Sequence, residues 1–219
     1  MSTFGKIIIF GGSGGLGTAL NLHLAANFSN HSLVSLSSKD VDIKDMNQIT
    51  DLYKIHNPNI IINLAVKNID SLIHTLDPLS VNEQIAVNIL GNINIIKAAI
   101  PIMRQNNYGR IIYISSILSK HPLKGTSIYS GCKAFNDNFI RTCAIENAKY
   151  HITANSIQLG YFEHGLSERV PKDIMEKVNK TIPLQRLGKI EELLNALIFL
   201  INTEYATGLN MTLAGGLEC

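Results

Sequence analysis

The sequence predicts an α/β fold in which helices cover both faces of a single parallel sheet. Apolar stretches of strand length alternate with stretches of helical spacing, which implies parallel strands joined by right-handed crossovers. A glycine-rich turn joins the first strand to the first helix. The length of 219 residues suits one ordinary domain of this class. We therefore predict one doubly wound domain over residues 1–219.

The elements can be placed in chain order from apolar stretches and from the spacing of their apolar residues. The strands are expected near residues 6–10, 32–37, 60–64, 110–115 and 152–158, with a short last strand near 210–213. The helices are expected near residues 15–27, 45–56, 81–105, 127–149 and 190–202. This order of elements predicts a sheet of the nucleotide-binding kind.

A glycine turn follows the first strand directly, at residues 11–17, and runs into the first helix. Glycines permit a tight turn and let the backbone approach a pyrophosphate, which the amide groups and the positive helix end then stabilise. Strand, glycine turn and helix together indicate a Rossmann-type nucleotide site, whereas a merely flexible turn fits poorly with such regular flanks. The expected cofactor contacts here are Gly11, Ser13, Gly14, Gly15, Leu16 and Gly17.

Tyr129 and Lys133 lie four residues apart in a predicted helix, and Ser116 lies thirteen positions before the tyrosine. The four-residue spacing places the phenol and the ammonium on one face, about one turn apart. A cation beside a phenol lowers the tyrosine pKa from about 10, which makes the tyrosine a usable acid or base near neutral pH. By itself this spacing also occurs in surface pairs without chemistry.

Charge and cysteine content indicate which kinds of partner and which cellular compartment to expect. With 19 basic and 17 acidic residues the formal charge is +2, so no nucleic-acid partner is indicated. The sequence leads us to expect no membrane-spanning segment and no processed leader. Cys132, Cys143 and Cys219 have no metal-ligand spacing, and their odd number leaves one unpaired in any disulfide scheme. We therefore expect no metal site and a reducing cytoplasm.

Further segments occur in a matching order: residues 60–65, residues 87–91 and residues 110–116. With the glycine turn and the Tyr129 segment, the chain resembles the short-chain dehydrogenase/reductase family, in the branch that includes the 3-oxoacyl-acyl-carrier-protein reductases. The resemblance covers nearly the whole chain, as far as the Gly215-Gly216 pair. It implies an oxidoreductase that uses a nicotinamide cofactor.

The resemblance also implies a role for each member of a catalytic set. Hydride transfer to a ketone develops negative charge on the carbonyl oxygen, which needs a proton and a hydrogen-bond donor. Tyr129 is expected to supply the proton, Ser116 to donate a hydrogen bond, and Lys133 to lower the tyrosine pKa and hold the nicotinamide ribose. Asn88 matches the asparagine that positions a water beside the lysine. Structural alternatives are that Ser116 ends a strand and that Asn88 caps or kinks a helix.

Cofactor choice depends on the end of the second strand, where a carboxylate usually marks NAD preference. Here the chain reads Ser37, Ser38 and Lys39, with no carboxylate until Asp40. Hydroxyls followed by a cation suit a 2′-phosphate, so NADP(H) is favoured. NAD(H) stays possible, because Gly14 stands where many NADP-dependent relatives have a basic residue and Asp40 could fold back toward the ribose.

The crossover between the second and third strands is trimmed compared with the family. Residues 41–43 follow Ser37 so closely that no helix fits between them. Asp42 is expected to contact the adenine edge as the family's aspartate does. The alternative, equally weighted, is that Asp42 caps a helix, because residues 45–56 look helical.

Two further segments are expected to contact the cofactor. Asn63 and Ala65 match the residues that line the adenosine side in relatives. Relatives usually place Pro-Gly after the strand near residue 158 and a threonine four positions beyond the glycine, at the nicotinamide carboxamide. This chain has Gly160 preceded by leucine, and His164 at the threonine position. His164 can still donate and accept hydrogen bonds; it could instead face the substrate or lie exposed in a loop.

Substrate and assembly are expected from resemblance alone. Residues 165–187 have helical apolar spacing, which predicts an amphipathic cover over an apolar ligand, although plain core packing has the same pattern. A ketone, in particular an acyl thioester on a carrier protein, is the leading substrate. The alternatives are a keto-sugar or a secondary-metabolite ketone as the substrate, or a nucleotide-sensing regulator without chemistry as the function. The long helices near 81–105 and 127–149 predict a homodimer or homotetramer.

Overall fold

The structure, a computed structural model, describes residues 6–28 and 33–217, and the statements below concern these residues. Ser32, at the start of the second predicted strand, and Cys219 lie outside them. The strands are β1 (Lys6–Phe10), β2 (Leu33–Leu36), β3 (Pro58–Asn63), β4 (Gly109–Ser116), β5 (Ile152–Leu159) and β6 (Asn210–Leu213). The helices are α1 (Gly15–Asn27), α2 (Met46–His56), α3 (Pro78–Ile85), α4 (Asn92–Gln105), α5 (Ser127–Asn147), α6 (Lys172–Thr181) and α7 (Ile190–Asn202).

The six described strands form one parallel sheet in the order β2-β1-β3-β4-β5-β6. The chain leaves β1 toward the β2 edge and then crosses to β3 on the other side of β1. This reversal creates a crevice at the carboxyl ends of β1 and β3, where ligands of open α/β sheets bind. The predicted doubly wound α/β fold is therefore confirmed.

Alternating side chains of the strands build one apolar core on each face of the sheet. Ile7 and Ile9 of β1 belong to the core that α1 and α7 cover, whereas Ile8 and Phe10 belong to the core under α2, α4 and α5. Since both faces are covered, the strands are apolar at nearly every position. This is why they were visible as continuous apolar stretches in the sequence.

The trimmed crossover is present, and it contains neither helix nor strand between Ser37 and Asp45. Val41 and Ile43 are buried and join the core next to α2. Asp45 caps α2, because its Oδ1 accepts from the Asn47 amide at 2.8 Å. Asp42 is therefore not the helix cap, which removes one of its two interpretations.

The helix predicted near 81–105 starts earlier and is not uniform. It begins at Pro78, because proline suits the first helical position and the Asp77 carboxylate accepts from the Ser80 amide at 2.8 Å. A π-helical turn, Ala86–Gly91, joins α3 to α4. Such turns insert a residue into the helical ladder and often occur at functional sites.

The continuous helix Pro78–Gln105 bears on the expectation of no membrane-spanning segment. It has 28 residues, and the mean hydropathy of its most apolar 18-residue window is 1.6, so by length and composition it could cross a membrane. One such helix is weak evidence, since a core helix of a soluble protein meets the same criteria. In this fold α4 packs on the sheet through residues such as Ile95 and Ile96.

Arg110 is the largest side chain buried in the described core, with 2% of its surface exposed. Its Nε donates to the Ile201 carbonyl at 3.0 Å, and its Nη1 donates to the Gly109 and His151 carbonyls at 2.9 and 3.1 Å. Its Nη2 lies 3.2 Å from an oxygen of Glu204, whose side chain is 70% exposed. The guanidinium thus ties β4 to the end of α7.

We expect Arg110→Met to lower the free energy of unfolding by about 2–4 kcal/mol, because the bonds to the Ile201 and Gly109 carbonyls are buried and the bond to the His151 carbonyl is partly buried. Urea unfolding followed by circular dichroism measures this change. Glu204→Gln is the matched control and is expected to stay within about 0.5 kcal/mol, since that carboxylate is mostly in water. Equal effects of the two variants would contradict a structural role for the buried bonds.

Candidate active site

A cleft of about 880 Å³ lies at the carboxyl ends of the central strands, at the crevice expected from the strand order. It brings together residues from the glycine turn, the end of β2, the end of β4, the first turns of α5 and the segment after β5. Among the residues predicted from sequence, those on its wall are Gly11, Ser13, Gly14, Gly15, Leu16, Gly17, Ser37, Ser38, Asp42, Ala65, Ser116, Tyr129, Lys133, Gly160 and His164.

Three predicted site residues, Lys39, Asn63 and Asn88, are not on the cleft wall. Asn63 is 3% exposed and lies behind it, where its Oδ1 accepts from the Ala65 amide at 2.9 Å. Its Nδ2 donates to Asn92 at 2.7 Å. Asn63 therefore orients the cleft residue Ala65 instead of facing a ligand itself.

The glycine turn has the close backbone contacts that a dinucleotide cradle requires. Gly11 has φ +82°, and a Cβ built on it would lie 2.6 Å from the Ala65 nitrogen. The Gly11 and Gly12 amides both donate to the Leu36 carbonyl, at 3.0 and 2.9 Å. A Cβ on Gly17 would lie 2.8 Å from the Gly12 Cα. Side chains at these positions would collide with the backbone of the turn itself and of the segment after β3, so glycine permits the tight turn that a dinucleotide cradle needs.

Gly17 and Gly131 offer a matched pair of helical glycines for a test of this cradle. We expect Gly17→Ala to weaken dinucleotide binding at least about tenfold, because its methyl group collides with the backbone of Gly12. A Cβ at Gly131 meets nothing within 4 Å, so Gly131→Ala should raise the free energy of unfolding by about 0.5–1 kcal/mol. Fluorescence titration and thermal unfolding measure the two effects. Unchanged binding by Gly17→Ala would contradict the cradle.

Ser116, Tyr129 and Lys133 meet at the end of β4 and the start of α5. Tyr129 and Lys133 are 7% and 4% exposed, and the Ser116 hydroxyl lies close enough to the Tyr129 phenol to lower its pKa. The Lys133 Nζ donates to the Ile114 carbonyl at 2.6 Å and lies 5.6 Å from the centre of the Tyr129 ring. The Ser116 Oγ also accepts from the Leu118 amide at 3.2 Å. Two hydroxyls and a cation therefore share one edge of the cleft.

The electrostatics of this group differ from the expectation that Lys133 lowers the tyrosine pKa. Burial raises the pKa of Tyr129 to about 12; the hydrogen bond from Ser116 opposes this and the Asp70 carboxylate adds to it. Burial likewise lowers the pKa of Lys133 to about 8, while the Asp137 carboxylate raises it. Lys133 is not among the groups that shift the Tyr129 pKa, and desolvation dominates, so Tyr129 is a neutral phenol at pH 7 and can donate a proton.

Asn88 lies in the π-helical turn and is buried, with 3% exposed. Its Oδ1 accepts from the Lys67 amide at 2.8 Å, and its Nδ2 donates to the Lys67 carbonyl at 2.7 Å. Its own main-chain carbonyl accepts from Asn136 at 2.8 Å. Through these hydrogen bonds Asn88 connects the cleft segment at Lys67 to the helices behind the cleft wall.

At the end of β2, Asp40 folds back onto Ser37. Its Oδ2 accepts from the Ser37 amide at 2.7 Å and from the Ser37 hydroxyl at 2.6 Å, and these bonds hold the pKa of Asp40 below its usual value. Asp42 faces the cleft, with its Oδ2 3.8 Å from the Nζ of Lys44. This end of the cleft therefore presents hydroxyls and carboxylates together.

The predicted cover is only partly a helix. A 3₁₀ turn, Leu166–Arg169, precedes α6, which has no buried residue, whereas Ile182 after it is 2% exposed. His164 is partly exposed on the cleft wall, with its Nδ1 3.3 Å from the Oε1 of Glu168. It is therefore neither a freely exposed loop residue nor directed only at a substrate.

Sequence reasoning missed several residues around the cleft, among them Lys67, Asp70, Asp137 and Glu168. Asp137 follows Lys133 by four residues, so helical spacing alone was a usable signal for it. It is 4% exposed, and its Oδ2 accepts from Gln158 at 2.7 Å. Lys67 and Asp70 lie in the loop after β3 and Glu168 lies in the short 3₁₀ turn, where no periodic pattern marks them.

Comparison with known proteins gives a consistent set of relatives. Residues 38–218 match a family model described as "Enoyl-(Acyl carrier protein) reductase". Carbonyl reductase family member 4 of Xenopus tropicalis is 27% identical over 230 aligned positions, which cover 96% of each chain. The 3-oxoacyl-[acyl-carrier-protein] reductase of Homo sapiens is 32% identical over 161 positions, covering 73% of this chain and 66% of that protein.

Solved structures agree on the fold. A short-chain dehydrogenase/reductase from Mycobacterium ulcerans superposes with a TM-score of 0.88 at 17% identity, covering 97% of this chain and 89% of that one. YwfH, described as an NADPH-dependent reductase involved in bacilysin biosynthesis, superposes with a TM-score of 0.85 at 21% identity, covering 97% of this chain and 98% of that one. At these identities the likeness concerns the fold alone.

Proposed function

The chain belongs to the short-chain dehydrogenase/reductase family and is an oxidoreductase with a nicotinamide cofactor, and from this premise we propose that it reduces a ketone to a secondary alcohol. The observation that carries the proposal is the meeting of Tyr129, Ser116 and Lys133 in the same cleft as the glycine turn. A bound reduced nicotinamide supplies the hydride in such chemistry.

The roles of the residues follow from their contacts. The neutral phenol of Tyr129 donates its proton to the carbonyl oxygen as negative charge develops there. Ser116, next to that phenol on the cleft wall, donates to the same oxygen. Lys133, held by the Ile114 carbonyl, places a positive charge beside the phenolate that remains and would hold the nicotinamide ribose. Asn88 shapes this edge of the cleft through its bonds to Lys67.

We assign the glycine turn to the pyrophosphate and the end of β2 to the adenosine ribose, with NADP(H) as the favoured dinucleotide. Ser37 and Ser38 line the cleft there and can donate to a 2′-phosphate. The Asp40 carboxylate now accepts from the Ser37 hydroxyl, so phosphate binding requires that this pair opens. Preference for NADH over NADPH in a direct titration would overturn this assignment.

For the substrate we propose a 3-oxoacyl thioester. The cleft lining includes apolar side chains that suit an acyl chain: Ile69, Val87, Leu159, Phe162 and Leu166. Two kinds of relative, a 3-oxoacyl-[acyl-carrier-protein] reductase and an acetoacetyl-CoA reductase, are named for substrates of this class. Both observations favour an acyl thioester over a polar ketone.

A two-stage experiment tests the function. NADPH and NADH are titrated against the purified protein by fluorescence, and acetoacetyl-CoA and a keto-sugar nucleotide are then offered with the dinucleotide that binds. We expect oxidation of NADPH with acetoacetyl-CoA. Turnover of the keto-sugar alone would replace the proposed substrate class, and dinucleotide binding without any turnover would favour a nucleotide-sensing regulator.

We also propose a homodimer or homotetramer in the cytoplasm. On α5, Phe135 is 41% exposed and stacks on Phe139 with ring centres 6.0 Å apart, and Ile145 is 82% exposed. Ile96 and Ala144, on the same two long helices, are instead buried within the chain at 1% and 2%. Light scattering on the purified protein tests the assembly, and cell fractionation tests the compartment.

A further inference from the structure

The segment after β5 returns to the glycine turn and lies directly on the start of α1. A Cβ built on Gly15 would lie 2.9 Å from the Gly165 nitrogen, and a Cβ on Gly165 would lie 3.4 Å from the Leu16 Cβ. Gly165 has φ +95°, a conformation that glycine adopts readily. Two segments that are far apart in the sequence therefore meet at the proposed pyrophosphate site.

The carboxylate of Glu168 occupies this meeting point. A Cβ on Gly15 would lie 3.0 Å from Oε2 and 3.1 Å from Oε1 of Glu168. The position of the carboxylate is fixed from the other side, because Oε1 accepts from the Gly165 amide and pairs with the His164 Nδ1, each at 3.3 Å. Glu168 and Gly15 both line the cleft.

The start of α1 has no carboxylate of its own. Its first turn contains no acidic residue, and Gly14, the residue before it, provides no side-chain cap. The amide groups and partial positive charge of a helix start attract an anion. Glu168 brings a negative charge to the place that the dinucleotide pyrophosphate would occupy.

Resting on the proposed dinucleotide reaction, we propose that Glu168 is an internal competitor for the pyrophosphate. Its side chain is 49% exposed, so it can turn out to solvent when the dinucleotide enters. It returns to α1 when the dinucleotide leaves. Two anions cannot share this site without repulsion, so Glu168 weakens dinucleotide binding and favours release of the spent cofactor.

Glu168→Gln isolates the charge, because glutamine keeps the length and can still accept from the Gly165 amide. We expect this variant to bind NADPH about fivefold more tightly than the wild type in low salt. In about 0.5 M salt, where charges are strongly screened, the difference between the two affinities should be smaller. Inorganic pyrophosphate, measured by calorimetry, should show the same gain. Glu176→Gln on α6 makes the same change in net charge away from the cleft and should leave both affinities unchanged.

The outcomes separate this inference from the proposed function. If the wild type binds NADPH and Glu168→Gln binds it equally or more weakly, the competitor role is wrong. If the wild type binds neither dinucleotide, the proposed function fails, and the pyrophosphate measurement then decides the inference alone. Glu168→Ala serves as a second variant, with circular dichroism to establish folding; it should also bind pyrophosphate more tightly, and unchanged binding would overturn the proposal.

Discussion

Tyr129→Phe is expected to lower kcat for ketone reduction by about 10²–10⁴-fold while the Kd for NADPH stays within about twofold. The variant loses one oxygen, the hydroxyl that protonates the carbonyl oxygen in the proposed reaction. The phenol is neutral at pH 7, since burial raises its pKa to about 12, so the wild type enters the reaction with its proton in place. Single-turnover oxidation of NADPH measures the effect.

Tyr205→Phe is the control for this experiment, because Tyr205 is fully exposed at 100% and distant from the cleft wall. It should keep wild-type kcat. Activity retained by Tyr129→Phe would contradict the proton-donor role, and loss of NADPH binding would show that the phenol instead supports the cofactor. The same variant therefore distinguishes chemistry from binding.

Lys133→Met is expected to abolish turnover and yet stabilise the protein. At neutral pH the wild type keeps a buried ammonium whose pKa falls from 10.5 to about 8, which corresponds to a cost of about 3 kcal/mol. Methionine fills similar volume without charge, although the Ile114 carbonyl loses its donor. We expect a net gain of about 1–3 kcal/mol in the free energy of unfolding at pH 7.

The pH dependence of this gain has a definite sign. The native pKa of Lys133 lies below the unfolded value, so between pH 8 and 10.5 the unfolded state binds more protons and the wild type becomes relatively more stable as pH rises. The advantage of Lys133→Met should therefore shrink across that window. Urea unfolding at pH 7 and pH 10 measures it, with Lys54→Met, at a 71% exposed lysine, as control. A constant difference would contradict burial of the charge.

The fold could be predicted because its signals are local and periodic. Both faces of the sheet are covered, so β1 shows as an unbroken apolar stretch, and glycines at Gly11 and Gly17 mark where backbones touch. The start of one helix was misplaced because a short-range contact decided it: the capping bond of Asp77 starts the helix at Pro78.

The residues that form the site could largely be predicted from the sequence, whereas their pKa values could not. Spacing placed Tyr129 and Lys133 together, but burial, which depends on the whole fold, set their pKa values. Asn63 and Asn88 were found by resemblance, whereas their location behind the wall required coordinates. The contact of Glu168 with Gly15 joins segments more than a hundred residues apart and leaves no sequence pattern.

The Leu36 carbonyl accepts from the Gly11 and Gly12 amides, so the edge strand β2 is hydrogen-bonded directly to the nucleotide turn. β2 has only four residues and pairs with β1 alone. Fraying of this edge must therefore break the bonds that shape the turn, and a ligand that grips the turn must hold the edge closed. Local opening of the sheet margin and the availability of the dinucleotide site are thus two aspects of a single equilibrium.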